Sequence, residues 1–380
     1  MRQSVLPALA VLTVLGTTAL AHEFLVYFGT YTGAKSKGIY AARFDSVAGK
    51  LGAVDLAAET PSPSFLAVHP NRRFLYAVGE ATTLEGKRSG AVSAFTLDRQ
   101  SGKLSLLNRQ PSGGLGPCHL EVDHSGRCLL VANYGSGSVA SVPIRKDGAL
   151  GEPASTIQHI GSSVNPQRQA GPHAHCFNPD PRNCFALCCD LGLDQVLVYR
   201  LDAKHSTLAP NEPPFATVKA GAGPRHLAFR PDGKFVFVVN EMASSLTAFA
   251  YDARRGVLRE VETASTLPAS VVVTNNSCAE VQMHPGGKFV YASNRGHDSI
   301  AVFAVNQKTG GLTPVQHAPT LGRTPRHFAL DPSGQWLLAE NQASDSVVVF
   351  RVDASSGKLA PTGQQLEVAS PVCAVFVPVK

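Results

Sequence analysis

Apolar positions in this chain come in short runs opened by a polar residue, as in Ser299-Ile300-Ala301-Val302-Phe303-Ala304-Val305 and Gln195-Val196-Leu197-Val198-Tyr199. Runs this short, rich in β-branched and aromatic residues and bounded by turn residues, predict strands, and no segment sustains a helical period over three turns. Between the runs stand Pro-Asp-Gly, Pro-Gly-Gly or Pro-Ser-Gly turns, then Ser-Gly, Thr-Gly or Arg-Gly turns. Proline presets φ and glycine supplies a positive φ at little steric cost, so these are hairpin connections. The pattern predicts units of four antiparallel strands, the fourth weaker, as in Ser101-Gly102-Lys103-Leu104.

The units repeat. Pro224-Arg225-His226-Leu227-Ala228-Phe229 with Pro231-Asp232-Gly233 and Phe235 to Asn240 returns as Pro325-Arg326-His327-Phe328-Ala329-Leu330 with Pro332-Ser333-Gly334 and Trp336 to Asn341. Fainter copies open at Pro63, Pro117, Pro172 and Ser277, and a truncated one at Pro371. A spacing of roughly fifty residues suits one four-stranded propeller blade. The last copy has only its first strand. The start of the chain supplies the other three, at Leu25–Phe28, Ile39–Phe44 and Leu51–Leu56. The two ends sharing one blade would close the ring and remove open strand edges. The expected fold is all-β, a single seven-bladed β-propeller over residues 22–380.

Ahead of it, Met1-Arg2, an apolar stretch from Val5 to Leu15 and the small-residue end Ala19-Leu20-Ala21 read as a secretory leader over residues 1–21. The apolar stretch is short for a membrane span. The expected location is periplasmic or secreted, with no membrane contact once the leader is cleaved. Its removal with Arg2 takes the net charge from +6 to +5, mild for this length. With neither a basic stripe nor interleaved aromatics, a nucleic-acid partner is not expected. The eight cysteines read as small buried hydrophobes rather than a disulfide framework. Four (Cys118, Cys176, Cys278, Cys373) fall on first strands and four (Cys128, Cys184, Cys188, Cys189) are assigned to second strands.

Repeats make equivalent positions comparable, and their differences carry the functional signal. The residue after the opening proline is Ser64, Cys118, His173, Arg225, Arg326 or Val372; the next is Phe65, His119, Ala174, His226, His327 or Cys373. Counting back from Pro285 sets Glu280 beside the histidines, and two extra residues, assigned to the Asn178-Pro179-Asp180-Pro181 turn, leave either His173 or His175 in the third unit's column. These starts are expected to converge on a single cavity of the central channel. At the end of the second strand, Asn133, Asp190, Asn240, Asn294 and Asn341 form a regular column that reads as structural, capping the next turn. The residue after it varies in character, and Glu241 and Arg295 stand out as opposite charges on neighbouring units. His173 and His175 have a spacing usable for metal, but no further ligand is evident.

Gly29-Thr30-Tyr31-Thr32, Pro172-His173-Ala174-His175, Asp190-Leu191-Gly192, Gly223-Pro224-Arg225-His226, Asn240-Glu241 and Ser293-Asn294-Arg295-Gly296-His297-Asp298-Ser299-Ile300 resemble the propeller-type lactonases. That family includes bacterial 6-phosphogluconolactonases and is similar to the fungal carboxymuconate-lactonizing propellers. The resemblance spans nearly all of the chain after Ala21. It implies hydrolysis of a small-molecule lactone ester of a sugar acid, without metal or cofactor, by a His, two Arg and a Glu in the channel. Matched by position these are His175 (or His173), Arg225, Glu241 and Arg295. Glu241 is the expected general base with His175 assisting, the two exchangeable. His173, His226, Arg326, His327, Glu280 and His119 are expected substrate contacts. The exported location points to an unphosphorylated aldonolactone. Two other readings remain open: a muconate-type lactonizing enzyme, and a non-catalytic propeller that binds a ligand or protein.

Overall fold

The computed structural model describes residues 22–80, 89–271 and 274–379. The leader expected at residues 1–21 lies outside the described residues. Among these residues the chain forms seven four-stranded antiparallel sheets arranged as blades. The first six blades follow chain order, with first strands at Leu66–Val68, Pro117–Val122, Ala174–Pro179, Pro224–Phe229, Ser277–Met283 and Pro325–Leu330. The seventh joins Pro371–Pro378 to Glu23–Thr30, Gly38–Asp45 and Lys50–Glu59. Phe24 pairs with Pro378 and Phe28 with Ala374, so the two ends of the chain seal the ring. Among the described residues the one helical element is the 3-10 turn Gln342–Ser344, and no helix is long and apolar enough to cross a membrane.

Seven apolar clusters hold the ring, each formed by two adjacent blades. The sheets are therefore buried on both faces except in the outermost strands, such as Thr207–Thr217 and Val257–Ser265, which alternate outward. At the seam, Trp336 of the sixth blade donates its indole N–H to Ser46 O of the seventh at 2.7 Å. Its ring lies over Gly49, where a Cβ would stand 2.3 Å from it.

The Asn column is fully buried and structural. Asn133, Asn240 and Asn294 donate to the serine hydroxyl five residues on, bridging the turn to the third strand. Asp190 plays this part differently: its Oδ1 accepts the N–H groups of His173, Gly192 and Leu193, and its Oδ2 meets His159 Nδ1 at 2.6 Å. All eight cysteines are free thiols, six of them buried. Cys184 departs from the expectation: it is exposed and precedes the strand Phe185–Asp190, its N–H held by Asp180.

Strand register settles the third blade. Ala174 pairs with Asp190 as Pro224 pairs with Asn240. Its hairpin is therefore of ordinary length, and the two extra residues lie before the strand rather than at the turn. His175 matches Arg225, Cys176 matches His226, and His173 falls ahead of the strand.

Candidate active site

Four of the first strands begin with the same register break. The irregularity lies between Pro117 and His119, Ala174 and Cys176, Pro224 and His226, and Pro325 and His327. A bulge leaves one residue unpaired and re-aims its side chain. The re-aimed residues are Cys118, His175, Arg225 and Arg326. They meet a second ring, made of residues at or just past the ends of four second strands: Glu80, Tyr134, Glu241 and Arg295. Together these enclose a cavity of about 300 Å³ at one mouth of the channel, lined by Glu80, Tyr134, His175, Glu241, Arg295 and Arg326 among others.

Glu241 is its electrostatic centre. Oε2 lies 3.1 Å from Arg225 Nε, poorly aligned for a hydrogen bond, and 3.1 Å from Arg295 Nη2; Oε1 accepts from Arg168 Nη2 at 2.8 Å. Burial pushes the carboxyl up, but Arg295, Arg225 and Arg168 together hold it down at about 2. The arginines are themselves anchored. Arg225 Nη1 donates to Ala279 O at 2.6 Å and Arg295 Nη2 to Cys278 O at 2.7 Å. Burial, with Arg326 and Arg295 nearby, lowers Arg225 to about 10, still charged at neutral pH. Arg326 differs from both. Its guanidinium lies 5.4 Å over the Tyr31 ring and makes no ion pair or hydrogen bond among the described residues. Tyr31 in turn donates to Glu80 Oε1 at 3.1 Å.

His175 is buried, and burial together with Arg225, Arg326 and Arg295 drives its pKa well below the ordinary value. The imidazole is neutral at pH 7. Cys118 Sγ stands 3.8 Å from Nδ1, while Nε2 has no hydrogen-bond partner among the described residues. His173 lies behind: its ring stacks on Tyr134 at 4.4 Å and its Nδ1 meets Tyr134 O at 3.0 Å. It shapes the wall through Tyr134, which packs edge-on against His175 at 5.4 Å.

His119, His226, Glu280 and His327 do not join this cavity. The expected single cavity is two, and these four residues line a second of about 440 Å³ further along the axis. The bulge is the reason. It turns Arg225 and Arg326 to the mouth, while the following His226 and His327 resume the strand register one tier below. His226 Nδ1 lies 2.9 Å from Glu280 Oε2, and His327 Nδ1 lies 2.8 Å from Glu340 Oε2. Phe65 sits among the imidazoles, its ring centroid 4.2 Å from His119, 5.7 Å from His226 and 5.8 Å from His327. Among the described residues no three His, Cys, Asp or Glu side chains are grouped to hold a metal ion.

Comparison of single residues between repeats overlooks Arg168. It comes from the connection between the second and third blades, which has no counterpart in the other units. Glu80 stands at the position equivalent to Glu241, and its carboxylate was the signal that could have placed it at the site.

The model of the family described as lactonase, 7-bladed β-propeller matches residues 25–376, and the chain belongs to that family. A 6-phosphogluconolactonase of Bacillus subtilis is 37% identical over 309 residues, covering 81% of this chain and 85% of that one. Another, from Formosa agariphila, is 33% identical over 311 residues, covering 80% and 86%. Among solved structures, the periplasmic gluconolactonase of Pseudomonas aeruginosa matches with a TM-score of 0.88 at 33% identity, covering 94% of this chain and 100% of that one.

Proposed function

We propose that the arginine-lined mouth opens the ester ring of an aldonolactone by adding water, with His175 as the proton acceptor. Family membership makes the protein a sugar lactonase, hence a carboxylic-ester hydrolase. The observation that carries the assignment is a pairing. A neutral imidazole faces the same cavity as Arg326, and among the described residues neither its Nε2 nor the Arg326 donors have a hydrogen-bond partner.

In this reading Nε2 takes a proton as water attacks the lactone carbonyl carbon. The carbonyl π electrons move to oxygen, and Arg326 and Arg295 stabilise the oxyanion. Collapse re-forms the C=O bond and breaks the bond to the ring oxygen. Histidinium returns its proton to that oxygen, releasing a hydroxy acid that ionises in solvent. Glu241, which the sequence favours as base, fits a different part. A carboxylate with both oxygens engaged by guanidinium groups is a firm brace for Arg225 and Arg295, whereas Nε2 of His175 has no such engagement among the described residues. The planar arginine contacts should not tolerate lysine.

The leader-like first residues and the periplasmic neighbour from Pseudomonas support an exported enzyme acting on lactones outside the cytoplasm. The test follows ring opening of glucono-δ-lactone and its 6-phosphate by purified protein with EDTA present, against the buffer rate. Catalysis that collapses in His175→Ala supports the proposal. A rate equal to buffer on both lactones, or an undiminished His175→Ala rate, overturns it.

A further inference from the structure

We propose that Arg168 is a specificity-determining residue that recognises an anionic substituent on the lactone, distant from the ring ester. The inference rests on the lactonase reading of this mouth.

Three observations point to it. First, Arg168 differs from its neighbours in exposure: its side chain is 44% exposed, against 3% for Arg225 and 13% for Arg295. It stands at the rim, where a substituent projecting from a bound ring would pass. Second, its donors are largely free. Nη2 serves both Glu241 Oε1 at 2.8 Å and Tyr134 OH at 3.3 Å, while Nε and Nη1 have no hydrogen-bond partner among the described residues. A guanidinium fork matches a carboxylate or phosphate, so these donors suit an oxyanion without giving up Glu241.

Third, the loop that carries Arg168 is built to hold it there. Asn165 Oδ1 accepts the N–H groups of Gln167 and Arg168, both at 3.0 Å. The next residue, Gln169, is fully buried and donates to Leu191 O at 2.9 Å. Ser163 is pinned to Asp194 Oδ2 at 2.6 Å. The guanidinium therefore projects from an anchored turn and loses little freedom when it binds.

The charge balance of the mouth agrees. Among the described residues, four guanidinium groups (Arg168, Arg225, Arg295, Arg326) face two carboxylates (Glu80, Glu241), an excess of two positive charges. The oxyanion formed during reaction appears together with the proton on His175 and leaves this excess unchanged. An anionic substituent on the substrate would answer it, at the rim where Arg168 stands.

The experiment compares kcat/KM for neutral glucono-δ-lactone, its 6-phosphate and the lactone of the corresponding 6-carboxylic acid, in wild type, Arg168→Ala, Arg168→Gln and Arg168→Lys. Titration calorimetry with gluconate and 6-phosphogluconate runs in parallel, reading recognition without catalysis. Wild type is expected to prefer the anionic lactones. Removing one charged hydrogen-bonding group should cut that preference by about ten- to a hundredfold in Arg168→Ala and Arg168→Gln, mostly through KM. Arg168→Lys should restore part of it. The phosphate and carboxylate arms identify which oxyanion is preferred. An equal fractional loss on neutral and anionic lactones would make Arg168 merely a brace for Glu241 and overturn the proposal, as would a wild type without anionic preference. If wild type opens no lactone but binds 6-phosphogluconate through Arg168, the lactonase reading falls and the recognition role stands. Absence of both overturns both.

Discussion

Two tiers of one channel, one residue apart in sequence, treat a buried carboxyl in opposite ways. At the mouth, Glu241 sits among Arg295, Arg225 and Arg168 and is held ionised at about 2 despite burial. One tier below, Glu280 faces His226 and His327, and burial lifts it to about 7. Glu121, lining the same lower cavity, is also lifted to about 7 by burial. Desolvation acts on all three; only the mouth supplies fixed positive charge to override it. A propeller offers seven near-equivalent positions per tier, so the chemistry of each tier depends on which few are charged. The mouth is arranged to receive negative charge, and the lower tier to hold protons.

The sharpest way to break the comparison is at the mouth. His175→Ala removes the proposed proton acceptor and should lower kcat by about 10²–10⁴-fold, the usual worth of a general base. The check is steady-state lactone opening, with the folded state confirmed by an unchanged melting profile. Arg326→Lys keeps the charge but loses the planar fork over Tyr31. If Arg326 stabilises the oxyanion, the loss should approach the 10²–10³-fold typical of a missing oxyanion donor, expressed in kcat. A loss confined to KM would instead assign Arg326 to ground-state binding.

The sequence made the scaffold readable because the repeat is written in turn residues and short apolar runs, both local. Even the shared seventh blade follows from complementary fragments at Leu25–Phe28 and Pro371–Phe376. The site was readable in part for the same reason: Glu241 and Arg295 break a regular column. Three things escaped. The two-tier split depends on the bulges at Arg225 and Arg326, which local pattern does not reveal. The choice of His175 over His173 depends on strand register, which places the extra residues ahead of Ala174. Arg168 arrives from a connection outside the repeat, so comparing repeats offered no signal for it.

Stability against pH separates the tiers next. Glu241 has a folded pKa depressed to about 2 from 4.5, so its contribution is fully present above pH 4.5 and is lost as pH falls through 2. That displacement corresponds to about 3 kcal/mol. Glu241→Gln should therefore be less stable than wild type at neutral pH and converge with it in acid. Urea denaturation at a series of pH values measures this, and a constant gap across the acid range would contradict the arginine-held carboxylate.

The lower tier should give the opposite sign and the smallest effect on catalysis. Glu280 has a folded pKa raised from 4.5 to about 7, so the folded protein takes up a proton that the unfolded chain has released. Stability then falls as pH rises from 4.5 to 7 and stays lower above that. Glu280→Gln keeps an acceptor for His226 Nδ1 and carries no charge to desolvate. It should match wild type below pH 4.5 and exceed it above pH 7, by at most about 3 kcal/mol. The neighbouring His226 and His327, held below their ordinary pKa by burial, add stability as pH rises towards 6.5, the opposite sign, so the Glu280 effect is read as the difference between the variant and wild type at each pH. The lactonase rate should stay close to that of wild type, because Glu280 lines the cavity below the mouth. A large fall in kcat with unchanged pH-dependent stability would mean that the two tiers act as one site, and that Glu280 takes part in the proton transfer assigned here to His175 alone.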